Sequence, residues 1–167
     1  RPFEVHRLGL ARSFQVTHLF SRLSVFENLR CAALWSLGYR YSFLRRLSGL
    51  RDANARAGSL LETLHLGHRR DTPAADLPYA EQRALELGVT LAGGSGVVLL
   101  DEPTAGMSRS ETERFVGLVR EATEGRTLVV VEHDMGVVFD LADRVAVLAG
   151  GEFIACDTPA CVRADRR

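Results

Sequence analysis

The chain alternates between short, wholly apolar runs and longer segments whose apolar residues recur at helical intervals. Val97-Val98-Leu99-Leu100 is one such run, and it ends abruptly in Asp101-Glu102. Thr127-Leu128-Val129-Val130-Val131 is another, followed by Glu132-His133-Asp134. Runs of this kind read as strands of a parallel sheet, covered on both faces. Between them, Phe115, Val116, Leu118, Val119 and Ala122 form the buried stripe of one amphipathic helix. Ser108-Arg109-Ser110-Glu111 opens that helix with a capping box, and Gly125 suits its C′ position. Strand, helix and strand in this order predict two strands of one α/β sheet.

The same reading extends in both directions. Pro2 to Leu8 predicts a short helix or turn, and Leu10 to Gln15 a short strand. Ser24-Val25-Phe26-Glu27 has capping-box spacing, and Val25, Leu29, Ala32, Ala33 and Leu37 follow at helical intervals. A second helix is expected from about Asp52 to His65, then a loop from Gly67 to Asp76 containing Pro73. Ala80 to Ala92 predicts a helix, and Gly93 to Gly96 a tight connection into the Asp101 strand. Asp134 can cap a helix carrying Met135, Val138, Leu141 and Ala142. Arg144 to Ala149 and Glu152 to Cys156 predict strands, joined by Gly150-Gly151 as a two-residue hairpin turn. An all-helical insert from about Ser21 to Leu77 thus interrupts an α/β core.

Chemistry follows from this layout. Open α/β sheets bind ligands at the carboxyl ends of their strands. Asp101, Glu102 and His133 are therefore expected on one edge. That set suits Mg-nucleotide hydrolysis, with one acid near the metal, one activating water, and an imidazole near the terminal phosphate. Glu132, His133 and Asp134 do not suit a metal site of their own, because successive residues of an extended strand face opposite ways.

Further short motifs stand in a fixed order with these. Gly9-Leu10-Ala11-Arg12-Ser13-Phe14-Gln15 comes first, then Leu77-Pro78-Tyr79-Ala80-Glu81-Gln82-Arg83, then Asp101-Glu102-Pro103-Thr104-Ala105-Gly106-Met107, then Val131-Glu132-His133-Asp134-Met135. In sequence and order these resemble an ABC-type nucleotide-binding domain, and look most like the ATPase subunits of branched-chain amino-acid importers.

The resemblance implies a fold class: α/β, a partial P-loop NTPase core of ABC type with an inserted all-helical subdomain. Residues 1–20 would then end the core at the Q-loop, and residues 21–77 would form the helical subdomain. Residues 78–167 would carry the signature helix, Walker B, the switch histidine and a C-terminal hairpin.

It also implies roles. Gln15 matches the Q-loop glutamine, sensing Mg2+ and the γ-phosphate. Asp101 matches the Walker B residue that holds Mg2+ through water, Glu102 the residue that polarises water, and His133 the switch histidine. Leu77, Pro78, Tyr79, Ala80, Glu81 and Gln82 occupy the signature, usually close to LSGGQ, which grips the γ-phosphate of an opposite subunit's ATP. Here Pro78 replaces the serine and Ala80 the second glycine, so a hydroxyl and an amide donor are lost at Pro78 while the helix dipole remains. Ala105, Gly106 and Met107 fall where the family places its D-loop, with Ser108 in place of the usual acid.

ATP and Mg2+ are the implied cofactors. A second ATPase subunit, in a homo- or heterodimer, and integral membrane permease subunits are the implied partners. The implied location is cytoplasmic, peripheral on the cytoplasmic face of the plasma (inner) membrane. Branched-chain or related amino acids, or amides such as urea, are the implied cargo.

Composition changes this picture at one point. All 21 basic side chains are arginine. A GxxxxGK[ST] phosphate loop needs a lysine, so this chain holds none. With the start at Arg1, the expectation is a fragment lacking the first part of the nucleotide core and inactive alone. The alternatives are a non-catalytic ABC-like interaction module and an ABC ATPase working outside transport. At 167 residues the chain is one ordinary domain by length, and its net charge of zero argues against nucleic acid as a partner. No apolar run approaches the roughly 20 residues of a membrane helix. Cys31, Cys156 and Cys161 form no disulfide framework or metal set, as suits a reducing compartment.

Overall fold

The computed structural model describes residues 8–13, 19–39 and 46–164. They fall into two compact units, divided between Val131 and Glu132. Expectations for Pro2 to Arg7 and for Phe14 and Gln15 lie outside the described residues.

The first unit holds strands β1 (Leu10–Arg12), β2 (Val97–Asp101) and β3 (Thr127–Val131), and helices α1 (Val25–Leu34), α2 (Arg51–Thr63), α3 (Tyr79–Leu91) and α4 (Arg109–Ala122). Its sheet has the order β1-β2-β3 and is parallel throughout. Leu99 stands opposite both Arg12 and Val129, and Asp101 opposite Val131. The strand–helix–strand reading of residues 97–131 therefore holds.

Cover on both faces does not. Along β2, Val98 and Leu100 are fully buried while Val97, Leu99 and Asp101 are only half-buried. In register with the latter, Val129 and Val131 are 42% and 53% exposed. Among the described residues, the helices cover one face of the sheet. An unbroken apolar run is compatible with either arrangement, because period-two burial is invisible when every position is apolar.

Local signals set the helix ends. Ser24 and Ser108 each close a reciprocal capping box, with Glu27 and Glu111. Hydrogen bonds from Ser108 hold the Glu111 carboxyl below its ordinary pKa. Helix α1 stops at Leu34, and Leu37 lies exposed in the turn beyond. Helix α2 stops at Thr63, because His65 takes left-handed backbone (φ 55) and the amides of His65 and Leu66 return to the carbonyls of Glu62 and Leu61. Gly125 lies one position past the expected C′ site. Thr123 is the cap, and the Arg126 amide returns to the Thr123 carbonyl in a tight turn into β3. The expected loop at 67–76 contains two 3-10 turns, Gly67–Arg69 and Ala74–Asp76.

Helix α1 packs on α2 and α3, and α3 also packs on α4. Contact between α1 and α3 is close at Gly88. A Cβ there would run into Leu64 Cδ1 and stand 2.7 Å from Leu29 Cδ2. Leu29 and Leu64 are both buried, so neither can swing clear. Gly88→Ala is expected to destabilise the first unit by about 1–3 kcal/mol, despite alanine's better helix propensity. A denaturation midpoint equal to or above that of the parent chain would contradict this.

The second unit holds α5 (Met135–Leu141), an antiparallel hairpin of β4 (Val145–Ala149) and β5 (Glu152–Asp157), and α6 (Pro159–Ala164). Gly150 and Gly151 both have positive φ, 60° and 84°, as a two-residue hairpin turn demands. Asp134 caps α5 through the Gly136 amide, at 2.8 Å. Of that helix's apolar residues Val137 is the buried one, whereas Met135 is 47% exposed. Seven residues make barely two turns, too few for a helical stripe to register reliably.

Candidate nucleotide site

Asp101 and Glu102 stand at the carboxyl end of β2, where a parallel sheet presents side chains to a ligand. The Asp101 side chain is 25% exposed, and its Oδ2 accepts from Arg12 Nη2 at 3.2 Å. Its backbone amide donates to Ser13 Oγ at 3.4 Å, and the Ser13 amide donates to the Leu99 carbonyl at 2.9 Å. The start of the Ser13-Phe14-Gln15 motif is thus laid along the Asp101 strand. Gln15 itself lies outside the described residues.

Sequence reading passed over Arg12. The register that sets Arg12 beside Leu99, on the face of the sheet that Asp101 shares, comes from the fold and not from a local signal.

Glu102 continues the ladder, its amide donating to the Val131 carbonyl at 2.9 Å. It then leaves the strand with φ 44, a backbone region uncommon for a residue with a side chain. A compact turn follows. The amides of Ala105 and Met107 return to the carbonyls of Glu102 and Thr104 at 3.2 and 3.1 Å, with Gly106 at φ 81. Pro103 and Thr104 are buried beneath it.

The segment from Leu77 to Gln82 forms the beginning of α3. Leu77 is buried, and Pro78 takes the N-cap position without a side-chain cap. Tyr79 and Ala80 supply the first amides of the helix, the groups that favour an anion. Tyr79 Oη donates to the Ala105 carbonyl at 2.7 Å, joining the helix start to the turn after Glu102. Glu81 is held by Arg69 Nε at 2.9 Å and His68 Nε2 at 3.4 Å, so its charge is balanced from the preceding 3-10 turn. Gln82 Nε2 donates to the Leu77 carbonyl at 2.9 Å, which ties its side chain back to the loop. Burial opposes the charge of Arg83, but hydrogen bonds to Glu86 and Tyr79 outweigh it and hold the guanidinium above its ordinary pKa. The structure thus brings together Asp101, Glu102, Ala105, Gly106, Met107 and the residues from Leu77 to Gln82 in one unit.

His133 is the second residue of the second unit. Its side chain is 76% exposed, whereas that of Glu132 is 1% exposed. This opposition is what alternation along an extended segment requires, and it argues against joint metal binding by the two. The His133 amide donates to Glu132 Oε2 at 3.3 Å. The burial of the Glu132 side chain is not legible in the sequence, where nothing distinguishes it from its neighbours.

The donor chemistry fits a divalent cation held through water, with two adjacent carboxylates at a strand end. Among the described residues no group of three or more His, Cys, Asp or Glu could hold a metal ion.

A parallel α/β sheet with an acidic pair at a strand end, tied to a helix start, places the chain in the α/β class that binds ligands at the carboxyl edge of its sheet. Comparison with known proteins specifies it. The family model described as ABC transporter matches residues 3–105, and the chain belongs to that family. It is 32% identical to LivG of Escherichia coli K12, the high-affinity branched-chain amino acid transport ATP-binding protein, across 96% of this chain and 66% of that protein. It is 29% identical to BraF of Pseudomonas aeruginosa, which carries the same description, with the same shares covered.

Among solved structures, MJ1267, an ATP-binding cassette of an ABC transporter, superimposes with a TM-score of 0.81 at 25% identity, covering 98% of this chain and 66% of that one. The fold is also that of cbiO1 from Clostridium perfringens, with a TM-score of 0.81 at 24% identity over 98% of this chain and 62% of that one. The fold class read from the sequence is therefore correct. The chain spans about two thirds of the length of the relatives it matches. Among the described residues no helix is long and apolar enough to cross a membrane.

Proposed function

We propose that this chain supplies the acidic-pair and signature side of the ATP site in the ATP-hydrolysing subunit of an ABC importer. The observation that carries this reading is the Asp101-Glu102 pair at the end of β2, hydrogen-bonded through its following turn to the start of α3. In this reading residues 21–77, whose described helices are α1, α2 and the 3-10 turns, are the helical subdomain. Residues 1–20 and 78–167 belong to the core.

Mg2+, held through water at Asp101 and Gln15, would neutralise charge developing on the transferred phosphoryl group. Glu102 orients the attacking water and takes its proton at the carboxylate. His133 steadies the terminal phosphate. The amides at the start of α3 meet the nucleotide of a second ATPase subunit, and residues 105–107 face that subunit. Closure on ATP and reopening after hydrolysis would drive permease subunits in the plasma (inner) membrane, with this subunit on its cytoplasmic face. Similarity to LivG and BraF supports branched-chain or related amino acids as the cargo.

The lysine-free sequence specifies what this chain does not contribute. Mg-ATP titrated calorimetrically into the chain by itself is expected to bind with a Kd weaker than about 10 µM, or about −7 kcal/mol. Tighter binding would show that the chain makes the β- and γ-phosphate contacts unaided. The same absence favours a second reading, a non-catalytic module that serves as a dimer partner. Reconstitution separates the two. In an assembled transporter that provides a GxxxxGK[ST] loop, ATP hydrolysis that depends on Asp101 and Glu102 supports the enzyme, and hydrolysis indifferent to both supports the module.

A further inference from the structure

The bond from Tyr79 Oη to the Ala105 carbonyl spans 26 residues of sequence at 2.7 Å. The same oxygen accepts from Arg83 Nε at 3.0 Å. A guanidinium only donates, so the hydroxyl proton is left to point at Ala105. Arg83 is in turn fastened to Glu86 by a 2.9 Å ion pair, with the two side chains 11% and 13% exposed. The phenol oxygen is therefore held from behind by a largely buried ion pair.

From the other side the backbone crowds it. A Cβ at Gly106 would stand 3.3 Å from Tyr79 Oη. The Tyr79 side chain belongs to a residue 41% exposed, so its hydroxyl is not required for core packing.

What this bond secures is a strained piece of chain. Glu102, at φ 44, and Gly106, at φ 81, bracket a turn closed by two backbone bonds of 3.1–3.2 Å. Strain of this kind persists only where the surroundings over-determine it.

We propose that Tyr79 is a positioning residue for Glu102. Its hydroxyl makes the turn at residues 103–107 and the first turn of α3 move as one piece. A phosphate engaged by the α3 amides then shifts the backbone from which Glu102 projects. This rests on reading Glu102 and the α3 start as parts of nucleotide sites.

Tyr79→Phe removes the hydroxyl and keeps the ring. In this chain, amide hydrogen exchange at Ala105 and Met107 is expected to quicken about two- to tenfold, the range of one neutral hydrogen bond. Thr112, on the separately capped α4, is expected to exchange at the parental rate. In the assembled ATPase the variant's single-turnover rate is expected to fall at least about threefold through misplacement of the water-activating group. Its KM for ATP stays within about twofold, since binding contacts are untouched. Unchanged exchange at Ala105 and Met107 overturns the coupling. Faster exchange with an unchanged single-turnover rate overturns the positioning role. If the parent assembly hydrolyses no ATP, the nucleotide reading falls, and the exchange comparison alone still decides whether Tyr79 holds the turn.

Discussion

Glu102→Gln is expected to lower single-turnover ATP hydrolysis about 10²–10⁴-fold in the complete, assembled protein, the usual consequence of removing a general base. The substitution keeps the shape of the side chain and its ability to accept a hydrogen bond, but abolishes the charge that in the proposed role takes a proton from water. Glutamine meets the same backbone strain at φ 44 as glutamate, so the turn itself is left as it was. Binding should survive, because phosphate contacts and metal binding lie elsewhere. Closed, ATP-loaded dimers should therefore accumulate.

Two further substitutions sharpen the assignment. Asp101→Asn should weaken the Mg2+-dependent part of binding, and it also breaks the charge pair with Arg12. His133→Ala should slow hydrolysis without abolishing dimerisation. Hydrolysis by Glu102→Gln within about threefold of the parent, far short of the general-base range, would remove Glu102 from the catalytic role.

The second large effect concerns stability. Asn28 is 2% exposed and uses its whole side chain. Nδ2 donates to the carbonyls of Phe20, Leu23 and Ser24 at 3.1, 3.2 and 2.9 Å. Oδ1 accepts from the Phe20 amide at 2.9 Å. One amide side chain thus ties together the segment that leads into α1, adding to backbone bonds at the same three carbonyls.

Asn28→Leu, similar in size, takes the acceptor from the Phe20 amide and the second donor from carbonyls that backbone amides also reach, at a cost of about 1–3 kcal/mol, well above an average surface substitution. Asn28→Asp keeps the acceptor but aims a carboxylate at three carbonyls. Burial against three carbonyl oxygens, with the Phe20 amide as the donor, raises its folded pKa above the unfolded value, so the native state binds the proton more readily and the variant regains stability as pH falls through that raised value. Denaturation midpoints for both variants, with exposed Glu62→Gln as control, test this. A loss for Asn28→Leu no larger than the control's would sink the argument.

Asn28 also shows where reading the chain ran out. The capping box at Ser24-Glu27 is legible because its partners lie three residues apart, and so is the helix it opens. Nothing in the same ten residues announces that Asn28 bonds Phe20, Leu23 and Ser24 across a loop. Phe20 and Phe26 look alike in sequence, yet Phe20 is 62% exposed, whereas Phe26 is buried with the Arg70 guanidinium 3.6 Å from its ring centre. Glu81 and Gln82 read as parts of one motif. The fold assigns Glu81 to Arg69 and His68, and Gln82 to the Leu77 carbonyl.

By itself the sequence determined whatever depends on neighbours within a turn or two. It determined where helices begin, that β2 and β3 are parallel neighbours joined through α4, and hence that Asp101 and Glu102 stand at the carboxyl edge of the sheet. Its motif order determined the family. Only the tertiary structure decided which face of the sheet is covered, that Arg12 pairs with Asp101 across 89 residues, and that Tyr79 ties the α3 start to the turn after Glu102. The reason is physical. Periodic burial and helix capping are imposed by local backbone geometry and repeat along the chain. A side-chain bond between distant segments is set by how whole elements pack, which no single stretch of sequence records.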